Sequence, residues 1–347
     1  MKSKNLSEKI LRSVKSKGFK YIELPSVIEA NHIVQRSGEN FRKFMFSFTD
    51  INGKELCLRP DLTIASCLRY LENNLKGKEK IFYNGQAYRK VQSKKDKIIR
   101  NQVGFEILGS KDEKKDDKEI INTSIKILQD LKFSSGTLTI GNIEIFNLLI
   151  SKLDIPKRWK LRLSRHFWRE EYFNDLLKRL ETNADIDPTI VEIDKKRYLD
   201  LLNKNPETMI AGRSVGEILK RFDTKIKDPR QAKRGNKVSK IIKSFLKISC
   251  PINKAAMELN KFFKKNKINL VVDQRYFPIS SNKLSKLNVK FSTSFGRHLE
   301  YYSGMVFKID VKSKSTTIKC AGGRYDRLIS DLGSKKQVPA VGAAFNL

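Results

Sequence analysis

Apolar residues recur at helical spacing in several separated stretches. Leu6, Ile10 and Val14 predict a helix over 6–17, stopped by Gly18. Leu62, Ala65, Leu68 and Leu71 predict another, opened by Pro60. Ile120, Ile121, Ser124, Ile125, Leu128 and Leu131 form a clean stripe, and a further helix begins near Ile143. Between these lie strand-like runs. Phe44 to Thr49 and Glu55 to Arg59 flank Asn52-Gly53, a strong tight-turn signal. Lys80 to Val91 and Ile98 to Leu108 predict two long strands around a charged loop at 92–97. The charge cluster at 110–118 reads as a linker, and Leu138 to Ile140 as a short strand.

Residues 150–266 differ in character. Leucines at helical spacing (Leu161, Leu176, Leu177, Leu180) predict a mostly helical insertion between a first core part, 1–149, and the remainder, 267–347. Within it, the basic stretch Lys225 to Lys243, with Pro229 and Gly235, reads as an exposed loop running into a helix. Strands return at Asn269 to Asp273, Val289 to Thr293, Tyr302 to Val311, Thr316 to Ala321 and Val338 to Phe345, with a helix over Tyr325 to Asp331. Strands grouped at both ends around inserted helices predict an α+β fold with a mainly antiparallel sheet flanked by helices.

Composition narrows the function classes. Lys plus Arg is 71 and Asp plus Glu is 38, a net charge of +33. A field of that sign attracts nucleic acid, anionic membrane or phosphorylated ligands. Yet 50 of the cations are Lys and only 21 are Arg, spread along the chain. Composition alone leaves a lysine-biased surface and a nucleic-acid role both open. No apolar run reaches the ~20 residues of a membrane span, and no secretory leader is visible. Cys57, Cys67, Cys250 and Cys320 lack metal-like spacing and fit reduced thiols in a cytoplasm. Three histidines make a histidine-rich metal centre a poor fit, and neither a phosphate-binding GxxxxGK[ST] loop nor a strand-linked GxGxxG is present.

Four stretches carry more chemistry than patterning requires. Leu58-Arg59-Pro60-Asp61-Leu62-Thr63 puts an acid and a hydroxyl at a strand-to-helix junction, either as a helix cap or as a holder for a substrate ammonium group. Gln102, Gly104 and Glu106 alternate and so share one sheet face, with Tyr88-Arg89 on the neighbouring strand. Such a face costs much to bury without a ligand or full pairing; the alternatives are a structural ion pair and an open solvated face. Gly296-Arg297-His298-Leu299-Glu300-Tyr301-Tyr302-Ser303-Gly304 suits a small polar pocket. Ala321-Gly322-Gly323-Arg324-Tyr325-Asp326 reads as a tight turn or a place where a ligand approaches the backbone.

In this order, from about Gly18 onward, the stretches resemble the catalytic domain of histidyl-tRNA synthetase, a class II aminoacyl-tRNA synthetase fold. Gly18-Phe19 to Pro25 is similar to the first class II motif, and Phe82-Tyr83 through Tyr88-Arg89 with Gln102 to Glu106 is similar to the second. Arg297 to Gly304 resembles the signature Arg-Gly-Leu-Asp-Tyr-Tyr-Thr-Gly, and Gly322 to Asp326 matches Gly-Gly-Arg-Tyr-Asp. The resemblance implies a free-histidine pocket. Asp61 and Thr63 would receive the ammonium end and Arg89 the carboxylate or an ATP phosphate. Gln102 and Glu106 would line the site, and Arg297 and Tyr302 would close it with Tyr301 nearby.

The departures redirect the expected function. Val338 to Gly342 starts a third motif, but the Arg that grips ATP in synthetases does not follow. No C-terminal anticodon-binding domain follows either, Asp61 stands where the family has Glu, and His298 stands where the signature has Gly. A clamp lacking an Arg forfeits much of its transition-state stabilisation. The chain therefore most resembles the regulatory subunits of ATP phosphoribosyltransferase, synthetase paralogues of the first step of histidine biosynthesis. That implies no catalytic residues of its own, no cofactor and no metal. It also implies histidine as effector, a short-form catalytic subunit as partner, a homodimer within a hetero-oligomer, and neither membrane nor tRNA as partner. The alternative is a minimal histidyl-tRNA synthetase that activates histidine with ATP.

Overall fold

A computed structural model describes residues 2–37, 39–73, 77–91, 97–133, 135–182, 188–210, 212–226, 232–279, 287–296, 301–312 and 317–347. The chain divides into two compact units, Met1–Glu144 with Ser249–Glu258 and Val272–Leu347, and Ile145–Ile248 with Leu259–Val271.

The first unit is built on a nine-stranded sheet. In chain order it contains α1 (Lys2–Lys15), β1 (Lys20–Tyr21), β2 (Val27–Glu29), α2 (Ala30–Ser37), β3 (Ser47–Thr49), β4 (Glu55–Leu58), α3 (Leu62–Glu72), β5 (Glu79–Tyr88), β6 (Ile99–Leu108), α4 (Glu113–Asp130) and β7 (Gly136–Asn142). The second unit takes most of α5 (Ile143–Lys152), then α6 (Lys157–Arg165), α7 (Glu170–Thr182), α8 (Pro188–Leu202), β8 (Met209–Ile210), β9 (Arg213–Ser214), α9 (Val215–Ile226) and α10 (Ala232–Phe245). After β10 (Ser249–Pro251) and α11 (Ala255–Lys265), the first unit is completed by β11 (Leu287–Ser292), β12 (Met305–Lys312), β13 (Thr317–Arg324), α12 (Leu328–Asp331) and β14 (Ala340–Asn346).

The sheet runs β1-β5-β6-β14-β13-β12-β7-β11-β10. Among the described residues only β1–β5 and β11–β7 pair in parallel, so the architecture is α+β with a mostly antiparallel sheet. Its two faces differ because side chains alternate. One face presents Val103, Phe105, Ile107, Phe345, Ile309 and Ile140, all buried, and α1 and α4 pack on the sheet through Ile10, Val14, Ile120 and Ile127. The other presents Tyr83, Gly104, Glu106, Gly342 and Gly323 in register. Over one end of that face lie α3, α12 and the small sheet β2-β4-β3, sharing a core that includes Ile28, Leu62, Ile64, Leu68, Ile81, Leu328 and Ile329.

The Asn52-Gly53 turn joins β3 to β4, with Gly53 at φ +78° and the Asp50 carboxylate accepting from the N–H groups of Asn52 and Lys54. Three expectations need correction. The charge cluster at 110–118 is not a linker. It is the start of α4, capped by Asp112 on the Lys115 N–H, with Glu113 and Asp116 in the first turn where the helix dipole favours acids. Gly235 lies inside α10 rather than in a loop, because the Leu180 backbone of α7 passes where its Cβ would stand. Asn269 to Asp273 is not a strand; the sheet edge beside β11 is taken by β10.

The second unit has its own core. Phe146 stacks on Phe167 with ring centroids 3.7 Å apart, and Phe173, Leu176, Leu177, Leu180, Trp159 and Phe245 are buried with them.

Candidate functional site

The site is built around one buried carboxylate. Glu106 is 1% exposed and points from β6 to the glycine-rich face. Among the described residues it has no ion-pair partner. Tyr83 donates to its Oε1 at 2.6 Å, Thr63 to the same oxygen at 3.1 Å and Tyr325 to Oε2 at 2.6 Å. Burial raises its pKa, the three hydroxyl donors pull it down and the nearby Asp61 charge adds to the rise, which leaves it at about 7. A carboxylate offers about four lone-pair positions, so three donors leave one for a ligand N–H.

The sheet is cut away to admit these groups. Gly342 faces Glu106 across β6–β14, and a Cβ there would collide with the carboxylate. Gly104 does the same for Tyr83, whose ring lies where its Cβ would stand. Tyr302 crosses Gly323, its Cδ1 3.0 Å from that glycine's Cβ position.

Asp61 serves two ends. Its Oδ1 caps α3 by accepting from the Ile64 N–H at 2.9 Å. Its Oδ2 faces the site, 3.4 Å from the Tyr301 hydroxyl and 3.9 Å from the Arg89 guanidinium. The helix-cap reading of that junction is therefore realised by Oδ1, and Oδ2 is left facing the tyrosines and Arg89. Arg89 is steered by its Nε bond to the Pro60 carbonyl at 2.8 Å and by the Phe41 ring, 5.7 Å from the guanidinium carbon. Tyr301 meets Tyr302 and Tyr325 edge to face, at 5.0 and 5.9 Å. Burial raises the pKa of both Tyr301 and Tyr302, with Asp61 adding to it, so both remain neutral donors at physiological pH.

Beneath this cluster, Arg59 is buried and donates to the carbonyls of Gln86, Leu24 and Pro25. It joins β4 to β5 and fixes the turn into Asp61.

The structure thus brings together Asp61, Thr63, Arg89, Glu106, Tyr301 and Tyr302. Gln102 shares the face but lies four residues along β6 from Glu106, about 14 Å away at ~3.4 Å per residue. There its amide donates to Asn346 Oδ1 at 2.7 Å. Arg297 lies outside the described residues. Sequence reasoning passed over Tyr83 and Tyr325, although each stands in a stretch it singled out. The signal for Tyr83 was its alternation with Gly85 on β5, on the face shared with Glu106. Among the described residues no cluster of acids, histidines or cysteines is arranged to hold a metal ion, and no helix is long and apolar enough to cross a membrane.

The family model described as histidyl-tRNA synthetase matches residues 1–347. The chain belongs to the histidyl-tRNA synthetase family. Its curated relatives include the ATP phosphoribosyltransferase regulatory subunit of Agrobacterium fabrum, 28% identical over 92% of this chain and 89% of that one. The protein of the same name from Allorhizobium ampelinum is 28% identical over 96% of this chain and 93% of its own. Two solved structures share the fold. An ATP phosphoribosyltransferase regulatory subunit/histidyl-tRNA synthetase from Bacillus halodurans has a TM-score of 0.57 at 21% identity, covering 99% of this chain and 76% of that one. A chain of the ATP phosphoribosyl transferase (HisG:HisZ) complex from Thermotoga maritima has a TM-score of 0.55 at 18% identity, covering 99% of this chain and 96% of that one.

Proposed function

We propose that this chain is a non-catalytic regulatory subunit of ATP phosphoribosyltransferase, acting with a separate short catalytic subunit in histidine biosynthesis, and that the Glu106 pocket senses histidine. The names of the relatives support the first half. The observation that carries the second is Glu106 itself, buried, held by three hydroxyls and with an acceptor position to spare. Burying a carboxylate without a counter-charge is costly, and a ligand that donates to it recovers the cost.

Free histidine fits this chemistry. Its ammonium group suits Asp61 Oδ2, its carboxylate suits Arg89, and its imidazole N–H suits Glu106 or the tyrosines. Feedback then requires histidine to bind one assembly state better than the other, since equal affinity shifts nothing. The working form is a cytoplasmic hetero-oligomer containing a dimer of this chain.

The test is co-purification with a short-form catalytic subunit followed by a phosphoribosyl-transfer assay with and without histidine. Stimulation of the catalytic subunit and inhibition by histidine are expected; no association and no rate effect would sink the proposal. The match to the histidyl-tRNA synthetase family favours a second reading, in which the pocket activates histidine with ATP. Histidine-dependent pyrophosphate exchange by this chain alone would replace the regulatory reading with that one.

A further inference from the structure

Arg324 stands one residue before Tyr325, and alternation along β13 aims it to the face away from Glu106. It is 4% exposed, yet all its arms are bonded. Nε donates to Asp117 Oδ1 at 2.9 Å, Nη1 to Asp326 Oδ1 at 2.8 Å and Nη2 to the Glu113 carbonyl at 2.8 Å. Glu113 and Asp117 belong to α4. Asp326 Oδ1 also accepts from the Ala340 N–H at 2.9 Å, at the start of β14. The Arg324 carbonyl accepts from the Ser303 N–H at 2.8 Å, and Ser303 Oγ accepts from the Asp326 N–H at 3.1 Å. The guanidinium therefore ties α4 to Asp326 and, through Asp326, to the start of β14, while the Arg324 carbonyl holds the segment carrying Tyr301 and Tyr302 beside the peptide that presents Tyr325.

This side of the peptide is not filled by packing. A cavity of about 250 Å³ opens there, lined by Arg324, Asp117, Glu113, Glu144 and Asn142 among others. The aliphatic stem of Arg324 lies over Gly304, and hydrogen bonds fix its charged end. A buried ionic cluster contributes little net stability compared with apolar residues of the same volume, so a role in setting geometry accounts better for it.

We propose that Arg324 is a positioning residue for the candidate pocket, anchoring residues 323–326 to α4 so that the Tyr325 hydroxyl stays on Glu106. The inference rests on the histidine-sensing reading. Among the described residues, the groups facing Glu106 are Thr63 and Cys67 from α3, Asp61 at its cap, Tyr83 from β5, and Tyr325, Tyr301 and Tyr302. Of these, Tyr325 follows Arg324 directly in the chain. Losing its donor raises the proton affinity of Glu106.

The experiment measures histidine affinity by calorimetry on the full chain between roughly pH 5.5 and 8.5, bracketing the Glu106 transition. The variants are Asp117→Asn, Tyr325→Phe and the pair combined. Asp117→Asn is expected to weaken histidine about fivefold at pH 7, the effect of one hydrogen bond. It should also move the pH midpoint of binding upward and add less than about twofold to the Tyr325→Phe loss. Wild-type affinity and midpoint in folded Asp117→Asn, or losses that multiply in the double variant, overturn the positioning role alone. Absence of histidine binding by the wild type overturns the sensing reading and this inference with it. Arg324→Lys supplies the same comparison where Asp117→Asn fails to fold.

Discussion

Gly342 and Glu106 stand opposite each other on neighbouring strands, and the carboxylate of one fills the space that a side chain on the other would need. Gly342→Ala is therefore expected to expel Glu106 from between its hydroxyl donors. Overpacking of this kind costs about 1–3 kcal/mol, visible in urea denaturation, and histidine binding should vanish in calorimetry. A variant of wild-type stability that still binds histidine would contradict this geometry.

Glu106 makes stability depend on pH in a definite direction. Its carboxyl titrates near 7 in the fold against 4.5 as the reference value, so the folded chain holds the proton more tightly. The stability this contributes is complete below about pH 4.5 and is lost as pH climbs through 7, roughly 3 kcal/mol in all. Glu106→Gln carries no such charge. Denaturation midpoints should favour the variant at pH 8, with the gap closing toward pH 5. An equal gap at both pH values would count against a buried, ionisable Glu106.

Asp61 allows its two tasks to be separated. Asp61→Asn retains an N-cap acceptor but loses the charge, so melting should barely change while histidine affinity falls at least about tenfold, as for a charged hydrogen bond. Asp61→Ala should lose the same affinity and about 1 kcal/mol of stability besides. Equal melting temperatures for both variants would mean the cap contributes nothing.

Arg59→Met would leave the carbonyls of Leu24, Pro25 and Gln86 without their shared donor. These three bonds are only partly buried, so a total loss of about 1–3 kcal/mol is expected by thermal denaturation. A loss below 1 kcal/mol would show that water replaces the guanidinium easily.

Local signals were readable where the cause is local. The Asn52-Gly53 turn follows from one residue's backbone freedom, and the shared face of Gln102, Gly104 and Glu106 follows from alternation on one strand. The start of α4 was hidden because a run of charges from Lys111 to Lys118 looks solvated. What buries Asp117 within it is Arg324, a partner from the far end of the sequence. The same distance conceals the core of the site. That Tyr325 answers Glu106 depends on β14 standing between β6 and β13, a pairing no local pattern reports. Asn269 to Asp273 carries strand-like residues, but whether they join a sheet is decided by which segment occupies the edge.

The central place of β14 has a consequence for synthesis. During translation, β5 and β6 emerge as a hairpin whose next neighbour in the sheet does not yet exist; everything from Gly109 to Pro339 must be made first. At ribosomal speeds of about 5–20 residues per second, the open edge of β6 waits on the order of ten to fifty seconds. Through that interval Glu106 has neither Tyr325 nor the Gly342 recess, so nascent chains carry an unfinished pocket beside an unpaired strand. That edge is where a holdase would have the most to protect.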